Sequence, residues 1–146
     1  MGQGASMLLA SECAHLFSTV SGKFYPVKDS HSQIIAAANM SAGDVLLYYS
    51  YSGATRDMIE TLTVAKNNKA SIILITRFPK SPGAVFADLV LPCGSNENPL
   101  QLSSVAAKIA QLYLMDILFT EYCRRDPETA MKSREKIAAA LAKKHL

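Results

Sequence analysis

Three hydroxyls and a glycine stand together in Ser50-Tyr51-Ser52-Gly53-Ala54-Thr55, directly after the apolar run Val45-Leu46-Leu47-Tyr48-Tyr49. Arg56-Asp57-Met58-Ile59-Glu60-Thr61-Leu62 follows and reads as the opening of a helix. A strand therefore feeds a helix through a short polar turn. A helix N-terminus carries unpaired backbone N–H groups and the positive end of the helix dipole, so it attracts an oxyanion. Gly53 lets the backbone come close to a bound group, while Ser50, Ser52 and Thr55 donate hydrogen bonds without adding charge. Taken alone, Ser52 or Thr55 could simply cap the helix. A second turn of the same kind, Gly2-Gln3-Gly4-Ala5-Ser6, also runs straight into a helix and brings its own hydroxyl, Ser6. Two such turns can hold the two ends of one small phosphorylated molecule.

Softer candidates surround these turns. His31 lies near a helix start, where it can contact a ligand or remain an exposed cap-region side chain. Tyr51, between the cradle serines, can shape the mouth of a pocket. Arg56 can approach a phosphate or be held on the surface by Asp57. Glu97, in a polar loop, and Ser103 and Ser104, opening a long helix, are possible sugar contacts; capping explains the two serines equally well. His15 reads as structural, and His145 as a complement to a helix C-terminus. Neither glycine turn has the Gly-Lys-Ser/Thr of a P-loop or the third glycine and downstream acid of a dinucleotide fingerprint, which argues against ATP and NAD. No cofactor and no metal site is expected.

The elements that must position these residues follow from the apolar pattern. Helical spacing runs through residues 6–20 and again through Ile34, Ile35, Ala37, Ala38 and Met40, with Asp29 or Ser30 as cap. Lys23–Lys28 suits an edge strand closed by Pro26. Ser71–Thr76 is apolar through its middle, as a strand buried on both faces should be. Asp88–Pro92 is the next strand, followed by a helix from about Leu100 to Cys123. Asp126-Pro127 then starts a last amphipathic helix. Alternating strands and helices predict a parallel α/β sheet with helices on both faces and ligands at the C-terminal strand ends. The expected division is one domain over 1–125 with a basic helix over 126–146.

At 146 residues, 49% hydrophobic and 18% charged, the chain has the composition of a globular domain. The net charge of +3 is local: residues 122–146 hold seven Lys/Arg against three Asp/Glu. A solvated helix face accounts for that, so it is poor evidence for nucleic-acid binding. Cys13, Cys93 and Cys123 are too dispersed for a CxxC site and fit buried thiols in a reducing compartment. No run approaches the ~18 apolar residues of a membrane span, and a cytoplasmic location is expected.

Gly4-x-Ser6, followed by Ser50-x-Ser52-Gly53-x-Thr55, resembles the sugar isomerase (SIS) phosphosugar-binding domain. Within it the chain looks most like the sensor domain of RpiR-type bacterial transcriptional regulators. Asp29-x-His31-x-Gln33 and Ala107-x-Ile109-Ala110-Gln111-Leu112 add to the likeness. The resemblance implies a three-layer α/β/α fold of flavodoxin-like strand order, with four or five parallel strands. It implies that Ser50, Ser52 and Thr55 hold the phosphate, helped by the amides of Tyr51 and Gly53. Ser6 would then touch the phosphate or the sugar, and His31 the sugar.

The isomerases of this superfamily typically supply a glutamate from the helix after the last strand. Here the first carboxylate of that helix is Asp116. Binding without turnover is therefore expected, with a small aldose–ketose isomerase as the alternative and a non-binding remnant as a third reading. The family places a buried strand before the Gly-x-Ser turn, and its regulators an N-terminal helix-turn-helix; only Met1 precedes Gly2 here. Truncation of a longer regulator is the expectation, with DNA contacted only through that module. The apolar surface of the long helix (Ile109, Leu112, Leu114, Ile117, Leu118) points to a homodimer.

Overall fold

Two uncharged, mostly apolar runs make the centre of the sheet. Val45–Tyr49 (β1) and Ser71–Thr76 (β2) pair in parallel, from Val45 opposite Ser71 to Tyr49 opposite Ile75. Leu89–Pro92 (β3) lies parallel along the other edge of β2, with Ile73 opposite Leu89. The computed structural model describes residues 1–94 and 104–142. Among these the sheet has three strands in the order β1-β2-β3.

Side chains alternate across the strands and so build two cores. Leu46, Tyr48, Ile72 and Leu74 face one side, where Ala37 of α2 (Ser30–Ala38) and Met58, Leu62 and Ala65 of α3 (Arg56–Asn67) cover them. Tyr49 and Ile75 face the other side. There they meet Met7, Leu9, Cys13 and Phe17 of α1 (Ala5–Ser18) and Met115 and Phe119 of α4 (Val105–Arg125). The result is the expected α/β/α sandwich. Ala130 of α5 (Pro127–Ala142) joins the second core, and Arg134 lies over the Phe119 ring at 5.6 Å. Among the described residues no helix is long and apolar enough to cross a membrane. All three cysteines are free thiols, and burial pushes the Cys13 thiol above its ordinary pKa.

The sheet departs from the expected four or five strands, and the reasons are local. Residues 23–28 form no strand. Pro26 has no N–H to give a ladder, and the carbonyls of Val27 and Lys28 accept from the side-chain amide of Gln33 instead, at 3.0 and 3.4 Å. Phe24 is drawn toward the helices, its ring 4.6 Å from Phe17 and 5.4 Å from Tyr122. Beside β1, Met1 and Gly2 make the beginning of a strand. Met1 N donates to Leu47 O at 2.7 Å, Tyr49 N donates to Met1 O at 2.9 Å, and Gly2 bridges Tyr49 in parallel.

Gln33 is fully buried and organises this edge. Its Nε2 also donates to Gly2 O at 2.9 Å, and its Oε1 accepts from Gln3 Nε2 at 3.2 Å and from the Tyr48 hydroxyl at 2.9 Å. Burial pushes that hydroxyl up to about 12, so it is a permanent donor at neutral pH. At the start of β3, Asp88 Oδ2 accepts from Ile72 N at 2.8 Å while Oδ1 pairs with Lys66, which together hold the carboxyl below its usual range.

Two tests follow. Gln33→Leu fits the volume but leaves carbonyls and the Tyr48 hydroxyl unpaired, and should lower unfolding free energy by about 2–4 kcal/mol in a denaturant titration. Asp88 has a folded pKa below its unfolded value, so its contribution is complete above the unfolded pKa and is lost as pH falls through the folded one. Denaturation midpoints recorded from neutral pH to about pH 2 should therefore fall less steeply for Asp88→Asn than for the parent chain.

Candidate functional site

Both polar turns lie at the C-terminal end of β1. Ser50 continues the strand, its N–H donating to Ile75 O at 2.9 Å, and the chain then turns away from the sheet. Ser50 is buried, and its Oγ accepts from Gly53 N at 3.2 Å. Ser52 is exposed, and its Oγ accepts from Ala54 N at 3.3 Å. The turn is anchored to the end of β2 by two hydrogen bonds to Tyr51 O, from Thr76 Oγ1 and from Arg77 N, both at 3.1 Å. Gly83 N closes its other side on Gly53 O at 2.8 Å. Gly53 takes φ +61°, a conformation that a side chain rarely adopts.

Capping distinguishes the helices. Asp29 accepts from Ser32 N at α2, Ser104 from Ala107 N at α4, and Asp126 from Thr129 N at α5. The first turns of α1 and α3 receive no side-chain cap: the cap residue of α1 is Gly4, behind which Ser6 N and Met7 N donate to Gln3 O and Gly4 O, and that of α3 is Thr55. Thr55 is the residue before α3, yet its hydroxyl makes no cap bond, and Ser52 bonds inside the turn instead. The two helix starts singled out by sequence are thus the two whose first N–H groups carry no side-chain cap. Gly4, at φ +54°, leads into α1, and Ser6 is half-buried in its first turn. Gly2 brings that turn against β1: a Cβ there would lie 2.8 Å from the Ser6 backbone and 3.0 Å from Tyr49 O.

The other sequence candidates divide. His31 is exposed in the first turn of α2, which Gln33 ties to the Gly2 turn. The Tyr51 ring stands edge-on to Phe78 at 6.0 Å, on the β2 side of the cradle. Ser104 is the α4 cap, and Glu97 and Ser103 lie outside the described residues. Arg56 is held by Glu60 at 3.1 Å on the surface rather than by Asp57. The Gly53 amide, expected to face a phosphate, is turned inward to Ser50 Oγ. Sequence reasoning missed Thr76 and Ser81, which flank the turn from the β2 side. The only signal was composition: Ser81-Pro82-Gly83 is another small, polar turn after a strand.

The family model of the SIS domain matches residues 1–121, and the chain belongs to that family. It is similar to an uncharacterised HTH-type transcriptional regulator of Caldanaerobacter subterraneus subsp. tengcongensis, 36% identical over 118 residues, or 81% of this chain and 42% of the relative. The HTH-type transcriptional regulator RpiR of Escherichia coli (strain K12) is 31% identical over 138 residues, 94% of this chain and 47% of that one. The chain spans about half the length of the curated relatives it matches. Among solved structures, the Vibrio vulnificus NanR protein complexed with ManNAc-6P is similar with a TM-score of 0.89 at 24% identity, covering 99% of this chain and 55% of that one. The sugar isomerase domain of an RpiR transcription factor from Sphaerobacter thermophilus gives 0.82 at 22% identity, covering 94% and 75%. At these identities the two structures speak for the fold.

Gly53→Ala tests the turn directly. The new Cβ would fall 2.1 Å from Ser81 Oγ in a left-handed backbone conformation. A loss of about 2–4 kcal/mol in unfolding free energy is expected, the sum of left-handed strain and overpacking.

Proposed function

We propose that this chain is the phosphosugar-sensing SIS domain of an RpiR-type regulator and binds a sugar phosphate without turning it over. The observation that carries the reading is the pair of helix starts without side-chain caps, at one end of the sheet, beside Ser6, Ser50, Ser52 and Thr55. An oxyanion at α3 would take the place of a cap, receiving N–H groups at the positive end of the dipole and hydroxyl donors around it. The sugar then extends toward Ser6 and His31. The sugar phosphate in the NanR complex and the regulator relatives support the ligand class.

Aldose–ketose isomerisation needs a base near the operating pH, commonly a carboxylate raised by burial. Asp29, Asp88, Glu121 and Asp126 are instead held below the usual range, chiefly by their hydrogen bonds, and Asp57 and Asp116 are exposed. Among the described residues this supports sensing over catalysis. DNA contact is assigned to a helix-turn-helix segment outside these 146 residues. Of the apolar residues expected on the open face of α4, Leu114 and Leu118 pack against the second core instead, and Ile109, Leu112 and Ile117, with Tyr113, form the exposed stripe through which we place a homodimer contact.

The reading is tested by melting the protein with ManNAc-6P, hexose 6-phosphates and pentose 5-phosphates. A bound ligand at about a hundred times its Kd adds about 2.7 kcal/mol of stability, so Tm should rise by several degrees, and Ser52→Ala should remove most of the rise. If none of these compounds moves Tm, the reading is wrong. An overnight incubation followed by NMR should return the ligand unchanged; conversion to the isomeric sugar would make the chain an enzyme.

A further inference from the structure

Ser81 is 5% exposed, and its Oγ has no hydrogen-bond partner among the described residues. It lies against the middle of the cradle: a Cβ at Gly53 would meet Ser81 Oγ at 2.1 Å and Thr76 Oγ1 at 2.9 Å. Thr76 has spent its one donor on Tyr51 O at 3.1 Å and accepts from Phe78 N at 3.3 Å. The Ser81 backbone is used as well, its N–H donating to Phe78 O at 2.9 Å and its carbonyl accepting from Ala84 N at 3.0 Å. Its side chain does not cap the 3-10 turn Pro82–Val85 that it precedes. An alanine would meet every one of these backbone contacts without burying an idle donor, which costs about 1–3 kcal/mol.

We propose that Ser81 is a positioning residue of the cradle, a donor held in reserve that bonds to the Ser50–Thr55 turn when that turn closes on an oxyanion. The inference rests on the binding reading above and specifies how the same site responds to its ligand. The acceptor we assign to it is the Gly53 carbonyl, which takes one hydrogen bond from Gly83 N at 2.8 Å and retains a second lone pair. A donor on that carbonyl polarises the Gly53–Ala54 peptide and strengthens Ala54 N–H as a donor. In this structure Ala54 N–H makes only the 3.3 Å bond to Ser52 Oγ. Closing on a negative charge redirects it to the ligand, and Ser81 stabilises the closed form alone.

The test compares Ser81→Ala with the parent chain in two measurements, Tm without ligand and Kd for ManNAc-6P and for inorganic phosphate. Removing an unpaired buried hydroxyl should leave the ligand-free Tm unchanged or higher. Losing the reserve bond should weaken both Kd values by about five- to tenfold. Unchanged Kd values would overturn the proposal whatever happens to Tm. Weaker binding with a lower ligand-free Tm would also overturn it, because Ser81 would then be structural. If the parent chain binds none of the sugar phosphates, the binding reading itself fails; if it binds and Ser81→Ala binds equally well, only the role of Ser81 fails.

Discussion

Everything on the β1 side of the molecule depends on one buried amide. Gln33 reaches the Gly2 turn, the extended segment at Val27 and Lys28, and the Tyr48 hydroxyl in β1. Met1 and Gly2 also bond to β1 directly, and Gln33 is the side chain that ties the extended segment to both. An amide suits the task because it donates and accepts at once, and it stays neutral where a carboxylate would have to be desolvated. Through it, the starts of α1 and α2 are fixed relative to β1. Ser6 and His31 thus inherit their places from a residue that bonds the Gly2 turn directly and makes no bond to the Ser50–Thr55 turn.

The Ser50–Thr55 turn itself carries no charged side chain. Arg56, the next residue, is drawn to Glu60, so the donors the turn offers are hydroxyls and amides. Neutral donors around a helix N-terminus recognise an anion by geometry as much as by charge.

The layers, the helices and both polar turns were legible in the sequence because each has a local cause. Uncharged apolar runs gave β1 and β2, and Asp29 and Asp126 stand where caps must stand. The strand predicted at 23–28 failed for a non-local reason. Phe24 is claimed by Phe17 and Tyr122, and the Val27 carbonyl by Gln33, all from other elements. Ser81 was invisible for the same reason. Its interest lies in an unpaired oxygen against Gly53, which depends on how two loops from different strands meet. That Thr55 would leave its helix uncapped could not be read either, since threonine is a favoured cap.

The hydrogen bonds that complete the Ser6 side also say something about assembly. The Ser50–Thr55 turn sits between β1 and β2, which a single helix connects. The bonds of Gln33 to Gly2 and of Met1 to Leu47 span 31 and 46 residues. Loop-closure entropy rises with separation along the chain, and non-local pairing is the slower part of folding. The Ser50–Thr55 turn is anchored across 25 residues by Thr76 Oγ1 on Tyr51 O, while Met1 reaches β1 across 46. The strand that begins at Met1 therefore has the larger loop to close and carries the larger entropic cost.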